Sequence, residues 1–392
     1  MSVPWVPAWR PGIRARIGWG RAARGYVPKH SDTNSLIASY LRDLAAAQKS
    51  VRAGWGYKRA ANAVLALEVP IESLVGTDGT IAKIPNVGPK SQQVILEVLK
   101  TRESATVDRA VEASEKAADI HRRRALRSNY LSRSQVLAAL QDESLTGPTI
   151  DDYRGDLQMH STWSDGSQTL EEIIIGGIER KYEFCGITDH SYGLPIAGGL
   201  SMHELAEQRA EIDRLNKKFR RQFRLIQGVE ANIRADGSVD MTAEERATLE
   251  LVVAAPHSVL RSAADQTARM VSAVTTRGVH ILGHPRGRIY GSRPGVSARW
   301  DEVFGEAARA GVAVELDGDP ARQDMDFELA RQAADTGCLF ALDSDAHAVE
   351  QLSYAETAIA HARLAGIPTD RIINCWPLQR LVDWLAEVRS RP

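Results

Sequence analysis

Two rhythms of hydrophobic and polar residues divide this 392-residue chain. From residue 155 onward, short apolar runs alternate with amphipathic stretches whose apolar positions recur at helical spacing. The runs predict strands over 155–159, 184–188, 223–229, 249–255, 278–283, 312–316 and 338–343; the stretches between them predict helices over 169–180, 201–218, 263–276, 299–310 and 326–336. Such alternation specifies parallel pairing, with helices as the crossovers. Seven βα units predict an α/β fold, a distorted (β/α)7 barrel, with chemistry where the strands end. Residues 33–67 keep a helical period only. There, Leu36, Tyr40, Leu41 and Leu44 share one face, and Tyr57, Ala60, Ala61, Val64 and Leu65 mark a second helix. The predicted organisation is a basic flexible arm over 1–30, a small all-α domain over 31–100, a helical linker over 101–150 and the barrel over 151–392.

Composition excludes whole classes. Hydrophobic residues at 43% and charged residues at 25% rule out wholesale disorder. A net charge of -1 conceals 22 basic against 13 acidic residues over 1–150, and 27 against 37 over 151–392. A basic front half suits a polyanion and an acidic rear half suits cations. Cys185, Cys338 and Cys375 lack the number and spacing of a disulfide framework, which fits a reducing cytoplasm. No apolar run approaches the roughly 18 residues of a membrane span. Arg10, Arg14, Arg16, Arg21 and Arg24 exclude a secretory signal; with Pro4, Pro7, Pro11 and Pro28 they read as a disordered arm, the alternative being an organelle transit peptide.

The basic half contains the stretch I-A-K-I-P-N-V-G-P-K over 81–90, followed by an amphipathic helix. A turn at Val87 and Gly88 aims backbone N–H groups at an anion beside a helix N-terminus, with Lys83 and Lys90 flanking it. The competing reading is a plain Pro-Gly helix connection. Arg122, Arg123, Arg124 and Arg127 form either a solvated face or a second phosphate-contacting surface.

The strongest signal stands at the predicted strand ends. The first strand leads into Gln158, His160 and Asp165, the second into Asp189 and His190, and the third into Glu230. His257, His284 and Asp317 end the next three, and Asp345 and His347 the last. Five of the ten histidines thus fall at one rim with carboxylates. Imidazole and carboxylate donors suit Zn²⁺, Mn²⁺ or Fe²⁺, and the set exceeds the needs of one ion, so two or three divalent ions are expected. His30, His121, His203, His280 and His361 lie off these motifs and read as structural. Arg286, Arg288, Arg293 and Arg322 follow strand ends and suit substrate phosphate, surface salt bridging being the alternative.

The phrases G-D-L-Q-M-H-S-T-W-S-D-G, I-T-D-H-S, G-V-E-A-N-I, G-H-P-R-G-R, A-V-E-L-D-G and L-D-S-D-A-H resemble the PHP (polymerase and histidinol phosphatase) domain, in particular the one closing bacterial X-family DNA polymerases. Residues 33–100 resemble, more weakly, the helix-hairpin-helix domain that opens those polymerases. The resemblance implies a trinuclear metal site. Gln158, His160, Glu230 and Asp345 would hold one ion, Glu230, His257 and His284 a second, and Asp165, His190 and His347 a third. It places Glu230, His257, Asp345 and His347 at the catalytic core, and Lys83, Val87, Gly88 and Lys90 against a DNA backbone without base reading.

An X-family polymerase needs a palm between these parts, and residues 101–150 are too few for one, so polymerase activity is not expected. The expectation is a metal-dependent phosphoesterase acting on DNA, a 3'-to-5' exonuclease or DNA 3'-end phosphatase in repair, using a metal-activated hydroxide. It would be monomeric, cytoplasmic and nucleoid-associated, with no membrane contact. The alternatives are a small-molecule phosphomonoesterase of the histidinol-phosphatase type and a non-catalytic DNA-binding scaffold.

Overall fold

The structure, a computed structural model, describes residues 32–391. The expectations for the arm and for His30 lie outside the described residues. The chain divides after Ala138 into two compact units.

The first unit contains α1 (Thr33–Ala47), α2 (Val51–Leu65), α3 (Pro89–Thr101), α4 (Ala105–Glu112) and α5 (Ala117–Ala125), and α6 (Arg133–Gln141) runs across the division. Polar caps set the first two starts: Asp32 accepts from the Asn34 and Ser35 amides, and Ser50 from that of Ala53. Ile37, Leu41 and Leu44 of α1 join Ala60, Ala61 and Val64 of α2 and Val94, Ile95 and Val98 of α3 in one core. A Cβ on Gly54 would stand 2.5 Å from the Ala45 carbonyl oxygen, so α1 and α2 approach at a distance only glycine allows.

Residues 101–150 are not a linker. Val107 and Val111 of α4 and Ile120 of α5 are buried in the same core. Their polar neighbours conceal in sequence an apolar stripe of only two or three residues. The basic cluster is partly internal too: Arg124 Nε lies 2.5 Å from Oδ2 of the fully buried Asp43, Arg127 pairs with the same carboxylate, and Arg122 and Arg123 pair with Asp119.

The second unit opens with β1 (Gly155–Met159), α7 (Leu170–Glu179), β2 (Phe184–Ile187), α8 (Met202–Phe219) and β3 (Arg224–Asn232). Next come α9 (Ala243–Ala247), β4 (Leu251–Ala255), α10 (Thr267–Val274), β5 (Ile281–Leu282) and α11 (Trp300–Ala310). β6 (Ala313–Asp317), α12 (Phe327–Asp335), β7 (Leu339–Asp343), α13 (Ala355–Ala365) and α14 (Leu378–Ser390) complete it. All strand pairs are parallel, in the order β1 to β7. The seven strands and the five helices expected between them fall where the hydrophobic pattern places them; α9, α13 and α14 are additional to that expectation, and β5 is shorter than expected, with a left-handed turn at Gly278 (φ +79°) before it.

Alternation sorts the strand residues. Phe184, Ile226, Leu251, Val253, Ile281, Ala313 and Ala341 form an inner core together with Trp376, Trp384 and Leu385. Cys185, Leu225, Val252, Leu282, Val314 and Phe340 belong to the outer core, with the covering helices. On the inner face the residue character changes toward the C-terminal strand ends. β3 reads Ile226, Gly228, Glu230; β6 reads Ala313, Glu315, Asp317; β7 reads Ala341, Asp343 and then Asp345. At the β1–β7 seam, Met159 bridges Ala346, the Leu157 amide donates to Asp343 Oδ1 at 2.8 Å, and the Ser344 amide donates to Asp156 Oδ2 at 3.1 Å. The fully buried Asn374 donates to the Gly155 and Leu342 carbonyls, each at 3.0 Å, and accepts from the Leu342 amide at 2.8 Å. A side-chain amide thus does at the seam what a peptide group does elsewhere in the sheet.

Candidate metal centre

The rim at the C-terminal strand ends is assembled from loops whose conformations are set locally. After β1 the chain folds back so closely that a Cβ on Gly166 would stand 2.3 Å from the His160 carbonyl oxygen, and this return carries Asp165 over the rim. Asp189, fully buried, fastens the loop: it accepts from the Ser161 amide (2.8 Å), the Ser161 hydroxyl (2.6 Å), the Ser164 hydroxyl (2.5 Å) and Gln208 Nε2 (2.7 Å). His284 and Asp345 hold left-handed backbone conformations, at φ +22° and +51°. Non-glycine residues there store strain, which is commonest at functional sites.

Glu230 is the hub. Its Oε1 lies 3.0 Å from His257 Nε2 and 2.8 Å from His284 Nε2. Its Oε2 lies 3.2 Å from His190 Nδ1 and 3.4 Å from His160 Nε2. One carboxylate therefore faces two histidine pairs, one with each oxygen. Asp345 Oδ1 is 3.2 Å from His160 Nε2, and Asp165 Oδ1 is 3.5 Å from His347 Nε2, 3.7 Å from His190 Nε2 and 3.9 Å from His160 Nδ1. Three overlapping groups have ligand atoms within 4.8 Å of one another: His160, Asp165, His190 and His347; His190, Glu230 and His257; His160, Glu230 and Asp345. Behind them, His257 Nδ1 meets Asn232 Oδ1 at 3.2 Å and His347 Nδ1 meets the Asp345 carbonyl oxygen at 2.9 Å, contacts that fix which nitrogen faces inward.

The donor chemistry fits divalent cations. His160 Nδ1, His190 Nδ1, His284 Nδ1, Glu230 Oε2 and both amide atoms of Gln158 are buried without a hydrogen-bond partner among the described residues, an arrangement costly for a polar group that nothing satisfies. Burial holds His190 down at about 4, in the neutral form that ligates metals. Burial would lower His347 as well, but Asp165 and Asp345 outweigh it and lift that imidazole to about 9. Burial would raise Glu230, yet His190 and His257 hold it well below the usual carboxylate range. At and just beneath the rim, burial first and then the charge of neighbouring carboxylates push Glu315, Asp317 and Asp343 well above that range, which favours their neutral forms.

Eight of the nine expected ligands thus converge, and Gln158 lies fully buried on β1. The overlap of His160 with the Asp165 group is a connection that sequence spacing does not reveal. Nor does it reveal Glu315 and Asp343, although both sit two residues before a rim carboxylate on the same strand face. The arginines separate. Arg288 is not placed for phosphate: only 3% exposed, it pairs with Asp326 and donates to the Gln323 and Arg322 carbonyls. Arg286 pairs with Asp326 at 3.0 Å, and Arg293 donates to the Gly287 carbonyl at 2.6 Å. Arg322 reaches the rim, with Nη2 3.1 Å from Asp345 Oδ2. In the first unit, Gly88 caps α3 with Pro89 following, Lys83, Gly88 and Lys90 are exposed, and Val87 packs partly against the core. Between α2 and this turn the described chain has no further α-helix. A short 3-10 turn over Ile71–Leu74 and a bridge between Val75 and Ile81 stand there instead.

A parallel seven-stranded barrel with a histidine–carboxylate cluster at its C-terminal rim, accompanied by a small helical unit, is the class these observations define. Comparison with known proteins narrows it. Residues 32–104 match the helix-hairpin-helix domain family. The DNA polymerase/3'-5' exonuclease PolX of Bacillus subtilis is 35% identical over 233 residues, which are 59% of this chain and 41% of that longer protein. The probable phosphatase YcdX of Escherichia coli is 25% identical over 245 residues, 59% of this chain and 94% of that protein. A histidinol phosphate phosphatase from Lactococcus lactis, solved with zinc, L-histidinol and phosphate, overlaps 53% of this chain and 92% of its own at 17% identity, with a TM-score of 0.42. The chain carries a PHP-type phosphoesterase barrel behind a helix-hairpin-helix domain.

Proposed function

We propose that the chain is a metal-dependent phosphoesterase acting on DNA, as a 3'-to-5' exonuclease or a DNA 3'-end phosphatase. The observation that carries this reading is the division of Glu230, with Oε1 on His257 and His284 and Oε2 on His190 and His160. That arrangement suits a bridge between two cations. When bound, divalent ions supply Lewis acidity and lower the pKa of water, providing the nucleophile for attack at phosphorus. His160, Glu230 and Asp345, with the unpartnered Gln158 amide, would hold one ion; Glu230, His257 and His284 a second; Asp165, His190 and His347 a third. Asn232 and the Asp345 carbonyl orient His257 and His347. Arg322, beside Asp345, would bind a non-bridging phosphate oxygen, and the helix-hairpin-helix unit would grip the backbone through Lys83, Gly88 and Lys90.

Full-length protein incubated with Mn²⁺ and end-labelled DNA is expected to shorten the strand or release end phosphate. His257→Ala and Glu230→Gln should lose more than about 100-fold, the upper range for changes merely behind a metal ligand. Wild type that neither shortens DNA nor releases phosphate sinks the reading. A second reading, hydrolysis of small phosphate monoesters, draws on the E. coli phosphatase, of which the matched region covers 94%. Turnover of small monoesters that matches DNA turnover, and a Lys83→Glu/Lys90→Glu variant active as wild type on DNA ends, would favour it.

A further inference from the structure

The outer face of α2 carries a feature that neither the barrel nor the hairpin turn uses. This helix buries Gly54, Ala60, Ala61 and Val64 and leaves its opposite face bare. On that face Val51 is 70% and Trp55 56% exposed, four residues apart and so stacked along one helical stripe. Arg52, Lys58 and Arg59 stand three or four residues from Trp55 on the same helix face, and Lys49 precedes the helix N-cap; all four are exposed and, among the described residues, without an ion-pair or hydrogen-bond partner. No acidic residue occurs between Asp43 and Glu68. Gly56 completes the picture: a Cβ there would meet nothing within 4 Å, so no packing contact offsets the helix propensity it forfeits, and the surface beside the indole stays open.

We infer that this face binds single-stranded nucleic acid, with a base stacked on Trp55 and phosphates on Arg52, Lys58 and Arg59. An uncovered indole among unpaired cations, with no carboxylate on its own helix, combines the two components of a single-strand site, a π-face for a base and positive charge for the backbone. A duplex hides its base faces in the stack, and a grip on its backbone needs no tryptophan. The inference rests on the reading that the chain acts on DNA, but it concerns strand type and is measured by binding.

Fluorescence anisotropy on the full chain, without divalent metal, would compare oligo(dT) of about 20 nucleotides with a duplex of the same length. Trp55→Ala is expected to weaken oligo(dT) binding about tenfold and leave duplex binding within about twofold, while Trp55→Phe retains most of the affinity. Arg52→Gln/Lys58→Gln/Arg59→Gln should reduce the slope of log affinity against log salt by about 2, at roughly 0.7 for each single-strand phosphate no longer neutralised. Unchanged oligo(dT) binding in Trp55→Ala, or an equal loss on duplex, overturns the assignment. Self-association of wild type that Trp55→Ala abolishes, without a change in oligo(dT) binding, would make the face a contact between copies and overturn it too. Wild type that binds neither probe would instead remove the DNA reading, a separate result. Trp55 lies outside the core, so an unchanged circular-dichroism melt serves as the folding control.

Discussion

His280 and His361 lie away from the metal rim, and burial gives them a different role from the ligand histidines. His280 accepts from the Val252 amide at Nδ1 (3.0 Å) and faces the Leu385 carbonyl with Nε2 (3.0 Å); His361 accepts from the Phe327 amide at Nδ1 (3.1 Å) and meets Gln323 Oε1 with Nε2 (2.9 Å). Each pair of contacts defines a neutral ring protonated on Nε2. Burial pushes the two down to about 4 and about 3. The unfolded chain, with histidines near 6.5, therefore takes up protons that the native state refuses. Stability they contribute is present above pH ~6.5 and drains away as pH falls toward ~4, on the order of 3 kcal/mol for each. Urea unfolding of metal-free protein between pH 7 and 4.5 should show this decline, and His280→Gln/His361→Gln should start lower but decline less. An undiminished pH slope in the double variant would assign the decline elsewhere. The sequence marks these two only as histidines off the strand-end motifs; their neutrality depends on partners at Leu385 and Gln323 that no local pattern identifies. The rim histidines are legible because strand ends, placed by alternation alone, put them together. Arg288 shows the limit: in sequence it is equivalent to Arg286, and only the fold buries it against Asp326.

At the scale of elements, alternation of five-residue runs with helices is strong enough to place every barrel strand, since parallel strands are apolar on both faces. What escapes it is packing between elements that pattern weakly. α4 and α5 read as linker because most of their residues are polar, yet three buried side chains suffice to dock them. The closure of the barrel is equally silent in sequence, because beside the Met159–Ala346 bridge and the Asp156 and Asp343 side chains it draws on one asparagine far down the chain. Asn374→Ala would strip a donor and an acceptor from the β1–β7 seam, leaving the Leu342 amide and the Gly155 carbonyl short of partners. At about 1–3 kcal/mol for each buried group left unsatisfied, the barrel should lose roughly 3 kcal/mol in denaturant unfolding. Gly54→Ala tests the other unit by overpacking: with 2.5 Å to the Ala45 oxygen, α2 must move, at an expected cost of about 1–3 kcal/mol to that unit alone. A barrel transition that also shifts in Gly54→Ala would mean that the two units do not melt independently.

Across the whole molecule, charge is partitioned by unit. Residues 32–138 hold 16 basic and 11 acidic side chains, and residues 139–392 hold 27 and 39. Part of the acidic excess is the rim itself: Glu230 and Asp345 face histidines and Arg322 in place of solvent, and the more exposed Asp165 faces His190 and His347. Arg124 and Arg127 are spent on Asp43, so the first unit's net charge overstates what a phosphate backbone would meet, and on the proposed function the exposed lysines and arginines of the hairpin turn and α2 would carry most of the attraction. The two kinds of charge respond to different reagents. Divalent metal bound only by the folded barrel should raise that unit's melting transition, by the equivalent of about 2.7 kcal/mol at 100-fold excess over the dissociation constant, and leave the helical unit's transition in place. Chelation reverses the shift. Monovalent salt acts on the other unit: hydrolysis of DNA ends under subsaturating substrate should fall steeply between roughly 50 and 200 mM as phosphate contacts are screened and counterion release weakens. Hydrolysis of a small monoester, which has no nucleic-acid backbone for the helical unit to grip, should change little over that range. Equal salt sensitivity for both substrates would locate the effect at the metal rim, and the basic unit would then play no part in presenting DNA to it.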